Sequence, residues 1–375
     1  MTTVKSAPKS HAFWFFFPSA AWLAAIWIPL TWLQYTRGQM PAFSPAGHAH
    51  EMLFGFVLAL IAGYTLGQQP RLRLMLLWSV WLLARLLWLA LPFSVWVYAL
   101  NSVFFIGLSI LAVPRFRAAK QWRNQMLVPL LLILCLILPL LFTAHLLGIF
   151  PVADRRQLQL ATLTGLLLLM AYIGGRIIFP ALSATLQRQK VRLACGLQPG
   201  IEGALIITGL LALLLILTPL SPVFSAILLL LMAGLILLRL LRWQPWRIIR
   251  RSDLLVFFIG YAWLALGGAA LAGALLNWQP DPAALHLLTI GALGILSISV
   301  MLRTAWQRTK KCPPPGWQVW AVALLLSAAA LARWLGVTQE WQPGMLVATL
   351  LWTIAYSGCA LQLLLLLQQA QQQKE

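Results

Sequence analysis

Apolar runs of roughly 20 residues, separated by short polar connections, recur along the whole 375-residue chain. That length lets an α-helix cross about 30 Å of hydrocarbon, and the runs lack the alternation of barrel strands. The pattern predicts spans near 13–34, 48–67, 72–91, 93–113, 125–147, 157–179, 201–219, 222–242, 253–276, 282–303, 317–338 and 343–368. The fold class is therefore all-α: a polytopic membrane protein with about twelve transmembrane helices. The longest connection expected on the side of the termini, 180–200, is too small to hold a core of its own. A single integral-membrane bundle over 1–375 with no soluble domain follows. Two lysines precede the first span and no small-residue cleavage site follows it, so it reads as a retained helix.

Composition agrees: 61% of residues are hydrophobic and 9% charged, outside the range of soluble globular chains. The net charge of +20 would suggest nucleic acid in a soluble protein, but its distribution argues for the lipid bilayer instead. Of 27 Lys and Arg, 22 fall on the side of the termini and four (Arg37, Arg155, Arg156, Arg333) on the other, with Arg85 inside the third span. By the positive-inside rule both termini are cytoplasmic. Cys135 and Cys359 fall in spans, Cys195 and Cys312 in cytoplasmic loops, so no disulfide is expected.

This topology, set without histidine, sends four of the five histidines to the outer side. His48 and His50 open the second span, His145 closes the fifth, and His286 lies about one turn into the tenth. Imidazole is a common ligand for haem iron and suits copper. The plainer reading is that such residues sit in the headgroup belt, bonded to water. Glu51 beside the pair offers a carboxylate that orients a ligating imidazole. Positions two apart on a helix point about 200° away from each other, so His48 and His50 serve separate ligands unless His48 belongs to the preceding turn.

Arg85 in the middle of span three needs a partner, because an unpaired guanidinium there is costly. Glu51, the one acid read as interior to a span, is a candidate. A haem propionate is another, and snorkelling along Trp81 and Trp88 competes with both. Gly174-Gly175-Arg176 ends span six, and Gly291 and Gly294 precede Arg303 in span ten. Gly63 with Gly67, and Gly267-Gly268, read as close-packing points.

Ala49-His50-Glu51-Met52-Leu53-Phe54-Gly55-Phe56, then Gly174-Gly175-Arg176-Ile177-Ile178, then His286 with Thr289-Ile290-Gly291-Ala292-Leu293-Gly294, Met301 and Arg303, together resemble the NnrS family across nearly the whole chain. The resemblance implies a bacterial inner-membrane protein carrying haem and copper in the response to nitric oxide and nitrosative stress, often alongside denitrification. It implies His48, His50 and His286 as metal or haem ligands, with Glu51, Arg176 and Arg303 as site or structural partners. The residue reading adds His145 to the metal candidates and Arg85 to the cofactor-binding ones. The chain departs from the family at Phe15-Phe16-Phe17-Pro18, at Gly67-Gln68-Gln69-Pro70 and at Thr304-Ala305-Trp306-Gln307-Arg308, where a family histidine is missing.

The function expected is binding or detoxifying nitric oxide, or a related species, at a periplasm-side haem/copper site. Full haem-copper reductase chemistry needs about six histidines; four outer ones fall short, and no electron donor is evident. A twelve-helix secondary transporter is an alternative, as is copper handling and assembly. The transporter predicts repeated halves, and span eight carries no counterpart to the histidine motif of span two.

Overall fold

The computed structural model describes residues 8–38, 40–149, 153–188, 190, 196 and 198–373. Among them are twelve helices long and apolar enough to cross a membrane: Phe13–Arg37, Pro45–Thr65, Arg71–Ala90, Val95–Arg117, Trp122–Leu146, Arg155–Arg188, Pro199–Ile216, Pro222–Arg242, Ser252–Leu275, Asp281–Thr309, Gly316–Thr338 and Gly344–Gln372. We number them spans 1 to 12. Their centres coincide with the predicted runs. The ends differ most at spans 6 and 10, which continue beyond the apolar stretch on the face that carries the termini. Pro180 lies inside span 6 without ending it, since one lost hydrogen bond is tolerated in a packed membrane helix.

Local chemistry sets several span starts. Ser44 accepts from the Gly47 amide ahead of Pro45, Ser94 from that of Val97, and Ser221 from that of Val223. Span 1 ends on Gly38, whose φ of +69° supplies the left-handed turn that returns its amide to the Gln34 carbonyl. Ahead of span 1, strand β1 (Lys9–His11) pairs antiparallel with strand β2 (Gln68–Pro70), which follows span 2. The entrance of span 1 and the exit of span 2 thus lie on one face, the terminal face, and the connection around Pro41–Phe43 lies on the opposite one.

The bundle closes on itself. Span 12 packs along span 1, and the Trp352 indole donates to the Ala24 carbonyl between them (3.0 Å). Span 3 shows how each helix divides its surface: Leu74, Leu77, Trp81, Arg85 and Trp88 are buried, whereas Leu72, Leu76, Leu83, Leu86 and Leu89 are exposed as a lipid-facing stripe. Gly63 lies against the Phe17 ring, but Gly67 is not its packing partner. It lies past the end of span 2 with φ of +62°, forming the turn into β2, against the Arg115 guanidinium. Cys135 and Cys359 are buried and Cys312 is exposed, each a free thiol; Cys195 lies outside the described residues.

Three spans contain a wider, π-helical turn: Glu51–Phe56 in span 2, Ile133–Ile137 in span 5 and Leu287–Gly294 in span 10. Two of the three begin on the residue after a histidine, His50 and His286. Such turns insert a residue into the helical ladder and gather at functional sites.

Candidate functional site

His48 and His286 come together across spans 2 and 10, with ring centroids 6.2 Å apart and planes 19° apart. Each ring is held through Nδ1. His286 Nδ1 donates to the Pro282 carbonyl one turn earlier (2.6 Å). His48 Nδ1 faces the Thr31 hydroxyl of span 1 at 3.4 Å, and that hydroxyl spends its own hydrogen on the Trp27 carbonyl (2.8 Å). Thr31 therefore accepts from His48. With Nδ1 as the donor in each ring, the Nε2 lone pair is left free, the form in which imidazole binds a metal. With metal–nitrogen bonds of about 2.0 Å, two imidazoles on opposite sides of one ion have centroids roughly 6 Å apart, so the observed spacing suits a shared metal. The Arg333 guanidinium on span 11 lies within electrostatic reach of both rings.

His50 faces elsewhere, as the two-residue offset requires. It is fully buried, and its Nδ1 donates to Glu51 Oε1 at 2.9 Å. The ring stacks on Trp88 (4.6 Å, 8°) and is surrounded by Phe54, Tyr98 and Phe142. Its Nε2 has no hydrogen-bond partner. The arrangement is a carboxylate–imidazole pair whose free nitrogen faces an aromatic enclosure.

Glu51 also answers the question raised by Arg85. Its Oε2 lies 3.2 Å from Arg85 Nη1, and Arg85 Nη2 donates to Asn101 Oδ1 on span 4. Arg85 is 4% exposed, so it pairs inward rather than snorkelling. The chain His50–Glu51–Arg85–Asn101 crosses spans 2, 3 and 4. Gly55 makes room for it: a Cβ there would stand 2.3 Å from Arg85 Nη1. The Gly55 carbonyl, within the π turn, accepts from the Trp81 indole (3.0 Å).

The other predicted site residues divide. His145 is half-buried at the end of span 5, and among the described residues no ring or hydrogen-bond contact joins it to the other three. Arg176 and Arg303 lie at the terminal face, far along their spans from the histidines. Arg303 Nη1 binds Asp253 Oδ2 (2.6 Å), which Arg251 also grips through two bonds. Arg176 binds Glu202 Oε1 (3.1 Å) and Asn124 Oδ1 (2.6 Å). These contacts correct the reading of Glu51 as the one acid interior to a span. Glu202 is 1% exposed within span 7, and Asp253 is buried at the start of span 9. Both acids sit within a turn of a predicted helix start, where sequence alone reads an interfacial residue. Thr31 and Asn101 had no signal of their own, each being a small polar residue within an apolar run, and Arg333 was read only as one of the four basic residues on the outer side.

Among the described residues no group of three His, Cys, Asp or Glu side chains converges as a complete metal site. His48 and His286 are the two candidate ligands that the fold brings together. No curated protein and no solved structure matches the chain. Its relationship is carried by a family model, described as NnrS protein, which matches residues 9–371. The histidine pair, the buried His50–Glu51–Arg85 chain and the two π turns thus lie within the matched stretch, and the protein belongs to the NnrS family.

Proposed function

We propose that this protein binds haem and copper in the bacterial inner membrane and, as part of the nitric oxide response, captures nitric oxide or a related species at the face opposite its termini. Membership of the NnrS family supports the role in the nitric oxide response. The excess of Lys and Arg on the terminal face supports making that face cytoplasmic and the histidine face periplasmic. The observation that carries the reading is shared by three imidazoles. His48, His50 and His286 each have Nδ1 held by an acceptor, leaving Nε2 free as a ligand.

In this reading His48 and His286 hold one metal centre between spans 2 and 10. Arg333 beside them suits an anionic companion, such as a haem propionate. His50, oriented by Glu51 and closed off by Trp88, serves a copper ion or a diatomic ligand. Bound haem or copper would supply the orbitals that coordinate small nitrogen oxides. The chain's own residues orient the imidazoles, exclude water around His50 and hold the Glu51 charge against Arg85. The transporter alternative fares worse: span 2 is interrupted by a π turn, whereas its counterpart in a six-plus-six arrangement, span 8, is a continuous helix from Pro222 to Arg242.

Metal analysis and visible spectra of the purified protein from haem- and copper-replete cells test this. Bound metal is expected in the wild type and in His11→Ala and His145→Ala. Loss of at least one metal signal is expected in His48→Ala and His286→Ala. A colourless, copper-free wild type would overturn the proposal. Metal that binds only transiently, and passes to an apo acceptor protein, would move the function to copper assembly.

A further inference from the structure

At the terminal face, remote from the histidines, three arginines surround one carboxylate. Glu202 contacts Arg123 Nε at 2.9 Å, Arg176 Nη2 at 3.1 Å and Arg239 Nη2 at 3.9 Å. Arg239 is fully buried, donates to the Ala171 carbonyl and stacks over Trp243. Among the described residues no second carboxylate pairs with any of the three. Two positive charges thus lie at the membrane margin without a counter-ion, an arrangement that an anion would relieve.

A cavity of about 270 Å³ adjoins this cluster between the ends of spans 2, 4, 5 and 6. Arg176 lines it, and its buried Nε has no hydrogen-bond partner. Asn124 lines it too. Its Oδ1 accepts from both Tyr172 and Arg176, which leaves its NH2 group as a donor. The remaining wall is largely apolar, including Leu127, Leu131 and Ile173, with the partly exposed Tyr64 also on it. Polar donors thus share one small space with an apolar surface.

We infer that this cavity binds a small amphipathic anion, with a carboxylate or phosphate head at Arg176 and Asn124 and an apolar body among Leu127, Leu131 and Ile173. The unpartnered Arg176 Nε and the Asn124 NH2 group can each donate to either head. The site shares no residue with the histidine centre, so it stands whether or not metal binds there.

The test is calorimetric titration of the full chain in neutral phosphatidylcholine nanodiscs, using hexanoate, hexan-1-ol and dihexanoyl phosphatidate as probes. Saturable binding of hexanoate or phosphatidate is expected, with hexan-1-ol weaker by about tenfold or more. Whichever anion binds more tightly identifies the head. Arg176→Gln should lose the preference for the anion. Ala119→Phe, which narrows the cavity without touching the charges, should weaken binding by a similar factor while leaving the melting temperature without probe unchanged. Equal binding of alcohol and acid, no binding of either anion, or undiminished binding to Ala119→Phe in a folded protein would overturn the inference.

Discussion

At the scale of single residues, the molecule places guanidinium groups where they cannot be hydrated and builds a glycine beside each. Gly55 admits Arg85 to Glu51, and Gly175, where a Cβ would stand 2.2 Å from Arg239 Nη2, admits Arg239 beside Glu202. The rule explains why glycine stands in the two motifs Phe54-Gly55-Phe56 and Gly174-Gly175-Arg176, which helix packing alone would explain less specifically. Removing one partner of the buried pair leaves an uncompensated charge, at a cost of roughly 3–5 kcal/mol. Arg85→Met and Glu51→Gln should each lower the unfolding midpoint in detergent, and the double variant should lose less than the two singles combined. Gly55→Ala should destabilise comparably to Arg85→Met, because the methyl group meets the guanidinium head-on. Stability at the wild-type level in Gly55→Ala would refute the account of that glycine.

At the scale of elements, the twelve helices were legible in the sequence because hydrocarbon thickness imposes a minimum apolar length on each of them. The separation of His48 from His50 was legible too, since it follows from the pitch of the helix. The π turns were not. Glu51–Phe56 and Leu287–Gly294 carry no composition that distinguishes them from α-helix, and the extra residue is revealed only by where neighbouring side chains dock. Glu51 was legible as the partner of His50, but the partners of His48 and His286 were not, because Thr31 and Pro282 act through a hydroxyl and a carbonyl that any span contains. If the wide turn in span 2 sets the bearing of its histidines, deleting Met52 should restore α geometry. His48 would then turn by about 100° relative to the rest of the span. The deletion variant is expected to insert and fold but to lose the metal signal assigned to His48 and His286. Full metal content in that variant would show that the turn is incidental.

At the scale of the whole molecule, charge and helix parity together predict which way the bundle faces. The even number of spans among the described residues puts both ends on one face, and the surplus of Lys and Arg there is the basis for proposing that face as the cytoplasmic one. Cys312 is exposed there, between spans 10 and 11, while Cys135 and Cys359 are buried. In a Cys195→Ser background, a membrane-impermeant maleimide should label Cys312 in inverted vesicles and leave it unlabelled in intact spheroplasts. The opposite pattern would turn the molecule over and put the histidines in the cytoplasm.

The seam between spans 1 and 12, closed by Trp352 on the Ala24 carbonyl, has a consequence for biogenesis. Span 1 is among the first segments to enter the bilayer, yet its permanent neighbour is made only at the far end of translation. In the interval, the face of span 1 that will pack on span 12 meets lipid or a chaperone rather than protein. The same delay governs the histidine pair, whose halves come from spans 2 and 10. On the proposed reading, a metal held by both rings would be loaded only once span 10 has been made, and a chain arrested earlier would carry half a site.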